Sequence, residues 1–187
     1  KAMDFNPSEL QRMLRDSAER YLGDRFSLEH RRALRASADG LDHEAWATFA
    51  ELGWLALLIP EDLGGLGGSM TDAAVLASVL GTHCVTEPFA SSAVLAATLL
   101  GGADSPPADL IGAIAAGSAR VALVHDEAGE GVTLSPPAQD CALNGQAMLA
   151  IDAPSATHLI VAAHGPHGLA LVLLRAGSDG LTKRDYA

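Results

Sequence analysis

Up to about residue 118 the apolar positions recur at helical spacing. Leu10, Met13, Leu14, Ser17, Ala18, Tyr21 and Leu22 fall on one stripe, with Arg12, Arg15, Asp16, Glu19 and Arg20 behind it. That pattern predicts an amphipathic helix, started by Asn6 as cap and Pro7 as first helical residue. A second helix is expected from Leu28 to Ala36, stopped by Asp39-Gly40. A third is expected from the cap Asp42 through Trp46, Phe49 and Leu52 to Gly53. A short buried run, Trp54 to Ile59, precedes Pro60. Further helices are predicted after a cap at Ser69 or Thr71, from Pro88 to Leu100, and from Ala108 to Ala116 behind Pro106-Pro107. The abundance of alanine in these last helices predicts close packing with nearly all faces buried.

Beyond residue 118 the period shortens to that of strands. Arg120 to Val124 reads as a buried strand, with Val132–Leu134 and Cys141–Leu143 as shorter ones around Pro136-Pro137. Asn144-Gly145 predicts a hairpin turn into a strand from Ala147 to Ile151. Thr157–Ala163 and Leu169–Leu174 form another pair around the loop from His164 to Gly168. Helices first and strands second give an α+β class, with an all-α domain over 1–118 and a β-domain over 119–187. About six strands leave an open apolar edge, which another segment of polypeptide or a partner is expected to cover.

Composition narrows the function. The chain has 187 residues and a net charge of −11, with no basic cluster, which excludes a nucleic-acid surface or a polybasic membrane patch. Apolar residues make up 49%, enough for a core, and charged residues 19%, too few for a disordered chain. No apolar run approaches the length of a membrane span. Cys84 and Cys141 match no zinc or redox spacing and read as buried, inert thiols of a reduced, cytoplasmic protein. Met3 is expected to be the native start, behind two residues of cloning remnant.

Candidate chemistry is sparse. Four glycines among residues 64–68 read as a tight structural turn or as a phosphate cradle. The cluster fails G-x-G-x-x-G, since position 70 is Met70, and it lacks the Lys-Ser/Thr of a P-loop. His164 and His167 read as loop residues or as a metal pair with no third ligand nearby. His125-Asp126-Glu127 reads as a polar strand end or as an acid/base group. No G-x-S-x-G elbow is present. Spacing alone gives no reaction.

The stretch Leu52 to Ser69, L-G-W-L-A-L-L-I-P-E-D-L-G-G-L-G-G-S, resembles the N-terminal signature of the acyl-CoA dehydrogenase family. Leu143-Asn144-Gly145-Gln146-Ala147-Met148 is similar to the family's N-G-x-K-x-W-I-T segment, and Gly117 to Gly129 falls where the family has its T-E-P-x-A-G-S-D loop. The resemblance implies an N-terminal helical domain, an incomplete middle β-barrel and a C-terminal helical domain that this chain lacks. It also implies FAD-dependent α,β-dehydrogenation of an acyl-CoA thioester, with the catalytic base in the missing part. No catalytic residue and no metal ligand is therefore assigned here.

The resemblance places Val124, His125, Gly131, Leu149 and Ile151 at flavin-contacting positions. His125 stands for the Thr of T-E-P, with Asp126 and Glu127 after it, and Gly131 for the Ser of G-S-D. Leu149 and Ile151 stand for the Trp and Thr of W-I-T. These replacements remove hydrogen-bond donors and aromatic cover, and each unsatisfied buried polar group costs about 1–3 kcal/mol. Three readings follow. The chain is part of an ordinary FAD-dependent dehydrogenase; or a flavin-poor, non-catalytic subunit of a heteromeric α2β2 enzyme of lipid or steroid catabolism; or a stand-alone binding domain. The first two imply homo- or hetero-oligomers with an acyl-CoA dehydrogenase-like subunit.

Overall fold

The computed structural model describes residues 6–23, 25–35, 40–125, 131–135 and 142–184. Asp39, Asp126, Glu127, the Pro136-Pro137 turn and Cys141, all assigned roles in the sequence reading, lie outside them. Helices α1 (Glu9–Gly23), α2 (Leu28–Arg35), α3 (His43–Glu51), α4 (Met70–Thr82), α5 (Ala97–Gly101) and α6 (Ala108–Ala115) come first. Strands β1 (Val121–Val124), β2 (Val132–Ser135), β3 (Ala142–Gly145), β4 (His158–Gly165) and β5 (Gly168–Arg175) follow. Two 3₁₀ turns, Trp54–Ala56 and Glu61–Leu63, sit between α3 and α4, and a π-wound stretch, Phe89–Ala96, runs directly into α5.

Local chemistry explains the helix starts. The first helix begins at Glu9, not at Pro7. Ser8 Oγ accepts the Gln11 N–H at 3.1 Å while Gln11 Oε1 accepts the Ser8 N–H at 3.0 Å, a reciprocal cap that leaves Asn6 outside. Asp42 caps α3, its carboxylate accepting the Ala45 N–H at 2.9 Å. Ser69, not Thr71, caps α4 in a second box with Asp72, whose carboxylate also accepts from Gln11 Nε2 at 2.9 Å and so ties α4 to α1.

The helical core is aromatic. Phe49 and Trp54 lie 4.8 Å apart between ring centroids, Tyr21 stands edge-on to both, and Leu22, Leu76 and Phe89 close the cluster. A second cluster joins Ile59, Leu100, Ile111 and Ile114 to Val121 and Ile160, so α5 and α6 cover one face of β1 and β4. Ala122, Leu159, Val161 and Ala163 point the other way and pack with Ala153 and Ala156, as the alternation of a strand requires. The expectation of nearly all-buried late helices fails: in α6 only Ile111 and Ile114 are buried, and Leu95 is exposed.

Strand β4 organises the sheet. Along one edge it pairs antiparallel with all of β5, from His158↔Arg175 to Gly165↔Gly168. Along the other edge β1 pairs parallel with its first half and β2 with its second half, and β3 lies antiparallel outside β2. The sheet is open, and Leu169, Leu171 and Leu173 of β5 are exposed.

Two expectations are corrected here. Asn144-Gly145 is not a turn; it lies inside β3, opposite Thr133 and Val132. A Cβ on Gly145 would stand 2.3 Å from the Gly131 carbonyl oxygen, so glycine is needed there for a close backbone approach. Ala147 to Ile151 is not a strand but irregular chain at the surface. The loop expected from His164 to Gly168 is tighter, with Pro166 and His167 at its tip.

Candidate functional site

The edge formed by β1 and β2 is interrupted. Val124 lies opposite Val161 and Val132 opposite Ala163, so this edge advances eight residues while β4 advances two. The described pairing is therefore interrupted opposite Ala162, a break flanked by His125 and Gly131. Val124, His125 and Gly131 are thus brought together by the register of β4. His125 is exposed, and a Cβ on Gly131 would lie 3.6 Å from the His164 ring. His164 therefore lies within β4, opposite Thr133 and beside Gly131, a placement the reading as a loop residue missed.

Leu149 and Ile151 are not at the break itself. From Gly145, opposite Val132, the chain runs along the surface through residues 146–151, with Ala147 and Ala150 half-buried, and returns to the start of β1, where the Arg120 carbonyl accepts from Thr157 N–H at 2.8 Å. Met148, Leu149 and Ile151 are 60%, 66% and 67% exposed, and among the described residues no hydrogen bond uses the backbone N–H groups of residues 146–151. The stretch offers apolar side chains and unspent main-chain donors next to the break. Exposed apolar side chains with main-chain donors suit one face of a planar heteroaromatic group such as a flavin. Leu149 and Ile151 carry no side-chain donor for its polar edge.

The far end of this stretch is tied down. Asp152 sits at φ 61, and its carboxylate accepts the Ser91 hydroxyl from the π-wound segment. Arg120 Nε donates to the Ser155 carbonyl at 2.7 Å and Lys183 Nζ to that of Ala153 at 3.2 Å. A shallow depression of about 180 Å³, lined by Leu41, Thr86, Pro88, Asp152 and Ser155 among others, lies on the helical side of this turn.

Behind the depression is a charged network. Asp42 Oδ2 accepts from Arg25 Nη2 at 3.2 Å and stands 3.0 Å from His30 Nε2. Burial pushes its pKa up, but the Ala45 N–H, Arg25 and His30 outweigh that and leave it below the usual range. Glu87 accepts from Asp42 N–H at 3.2 Å and Thr86 N–H at 3.1 Å, yet burial dominates and raises its pKa. His158, at the start of β4, is lowered by burial and by Arg175.

The glycine cluster is structural. Gly64 donates its N–H to Glu61 O, Gly65 to Pro60 O, Leu66 to Ala56 O, Gly67 to Ile59 O and Gly68 to Leu57 O, all at 2.7–3.0 Å. Every donor that a phosphate would need is already used. No group of three or more His, Cys, Asp or Glu able to hold a metal occurs among the described residues, and His167 is exposed in the β4–β5 turn. Cys84 is exposed at φ 52, not buried as expected, because the chain reverses there after α4. Among the described residues, no helix is long and apolar enough to cross a membrane.

A helical layer over one face of an open, interrupted sheet defines an α+β protein. The profile of the acyl-CoA dehydrogenase N-terminal domain family matches residues 8–106. Acyl-CoA dehydrogenase IpdE2 of Mycobacterium tuberculosis is 36% identical over 123 residues, 65% of this chain and 38% of that protein. The ChsE4–ChsE5 complex of Mycobacterium tuberculosis contains a chain with TM-score 0.88 and 25% identity, matched over 96% of this chain and 50% of its own. A variant of the Tcur3481–Tcur3483 steroid ACAD gives TM-score 0.85 and 27% identity over 93% of this chain and 50% of that one. The chain belongs to the acyl-CoA dehydrogenase family. It spans about half the length of these solved relatives and less of the curated one.

Proposed function

We propose that this chain serves the FAD-dependent α,β-dehydrogenation of an acyl-CoA thioester in the cytoplasm, in an assembly with an acyl-CoA dehydrogenase-like chain. In this reading residues 1–118 form its helical domain and 119–187 its share of a middle β-domain. The observation that carries it is the break between Val124 and Val132, with Met148, Leu149 and Ile151 exposed on the chain that leaves β3. FAD, when bound, supplies the acceptor for a hydride from the substrate β-carbon as the α-proton is taken by a carboxylate. The chain's own part is to present His125, the Gly131 turn and the apolar stretch 148–151 to that group and to keep water from one face of it. No described residue is assigned as the base. A steroid-derived acyl group is the proposed substrate class, supported by the likeness to the Tcur3481–Tcur3483 steroid ACAD at 27% identity.

A second reading is favoured by Leu149 and Ile151, which lack side-chain donors: the chain is a flavin-poor subunit that completes a partner's site. The test is anaerobic addition of a steroid side-chain acyl-CoA to the purified assembly while the visible flavin band is followed. Bleaching by the thioester, absent with free CoA, supports the dehydrogenase reading. A flavin that stays oxidised with every acyl-CoA tried sinks it.

A further inference from the structure

Two adjacent serines join the helices to the sheet. The stretch Phe89–Ala96 is π-wound, a rare geometry frequent at functional sites. Within it Ser92, fully buried, accepts the N–H of Val121 at 3.1 Å and so fixes the first residue of β1. Ser91, also buried, donates its hydroxyl to the Asp152 carboxylate. A hydrogen bond to an ionised carboxylate is stronger than one between neutral groups. Asp152 needs that help, because φ 61 is a left-handed conformation that non-glycine residues adopt at a cost. It also directly follows Ile151, the end of the run 146–151, none of whose main-chain N–H groups is bonded among the described residues.

We propose that Ser91 and Asp152 are positioning residues: their hydrogen bond anchors the end of the 146–151 stretch and so sets how Leu149 and Ile151 face the group that docks beside the break. The proposal rests on the reading that this group is FAD. At its other end the stretch is held by the Gly145–Gly131 approach, and before Asp152 it is steadied by Ala150, which packs on the sheet cluster and whose carbonyl accepts from Ala153 N–H at 3.3 Å. Losing the Ser91 contact loosens the Asp152 end of the span without disturbing β1, which Ser92 holds separately.

The test uses the assembled protein with Ser91→Ala, Asp152→Gly and Asp152→Asn. Glycine accepts the left-handed backbone but loses the contact; asparagine tolerates the backbone and keeps an oxygen for Ser91. Thermolysin cleavage at 148–151 is expected to accelerate about tenfold in Ser91→Ala and Asp152→Gly, equivalent to about 1.4 kcal/mol, and to return toward the original rate in Asp152→Asn. Cleavage elsewhere should not change, which separates release of the stretch from general unfolding. FAD added to flavin-stripped assembly should bind about tenfold more weakly in the same two variants, with Asp152→Asn restored. Unchanged cleavage overturns the anchor. Faster cleavage with unchanged FAD affinity overturns the positioning role. An unaltered assembly that takes up no FAD overturns the reading beneath it, and shows this before any variant is made.

Discussion

Replacing Gly65 by alanine should damage this protein more than the same change at Gly64, although the two are neighbours in one glycine-rich turn. A Cβ at Gly65 would stand 2.0 Å from the Ile59 carbonyl oxygen and 2.4 Å from the Ile59 carbonyl carbon. Those are backbone atoms, so the turn must lift away from residues 56–60 by more than an ångström. The lift breaks the bonds from Gly65 to Pro60 and from Gly67 to Ile59 and strains those from Leu66 and Gly68. At about 1 kcal/mol for each of two or three bonds, plus disturbance of the fully buried Ile59, the cost is about 3–4 kcal/mol. Gly64 has open space around its Cβ position and φ 83, so alanine there meets only the left-handed penalty of about 1–2 kcal/mol. Urea denaturation of the two variants beside the original chain reads both numbers. Equal stabilities for Gly64→Ala and Gly65→Ala would refute the argument that the cluster is a clasp on the 56–60 backbone. Stabilisation by millimolar phosphate would refute it from the functional side.

Other consequences are equally open to measurement. Asp42→Ala should cost about 2–3 kcal/mol in denaturant melts, because it removes the α3 cap and the partner of Arg25 and His30; Asp42→Asn should recover the cap part alone. Glu87 has a raised pKa, so its contribution is full below the ordinary glutamate value and is lost as pH rises through the raised one. Glu87→Gln should therefore be more stable than the original chain near neutral pH, and that advantage should shrink as pH falls; a constant difference in melting temperature contradicts the assignment. At still lower pH, protonation of Asp42 should erode stability in both proteins, since its pKa is lowered. Tyr21→Phe should be neutral or stabilising by up to about 1 kcal/mol in the same melts, because the buried Tyr21 hydroxyl has no partner among the described residues.

What could be read from the chain divides along physical range. Asp42 and Ser69 were legible as caps because a cap is settled within three residues, and the β4–β5 hairpin was legible from two short apolar runs around the turn residues His164 to Gly168. Asn6 misled because Ser8 and Gln11 form a better-satisfied box two residues later. Residues Ala147 to Ile151 looked like a strand because they are an apolar run directly after the Asn144-Gly145 turn dipeptide. In the structure that run has no sheet to join, and its large apolar side chains stay exposed. Asn144-Gly145 carries the composition of a turn, but Gly145 serves a close approach to Gly131 within β3. The pairing of Ser91 with Asp152 spans 61 residues and leaves no periodic trace, nor does the break opposite Ala162, which exists only in the register of β4. The family resemblance was carried by Leu52 to Ser69, inside the stretch that the family profile matches.

The most direct test of the central claim is the flavin content of the purified full-length protein, measured from its visible absorption alone and after co-expression with an acyl-CoA dehydrogenase-like partner. The account predicts bound FAD in the assembly, lost when Gly131→Val obstructs the break. An assembly that forms and remains colourless with FAD supplied would contradict it.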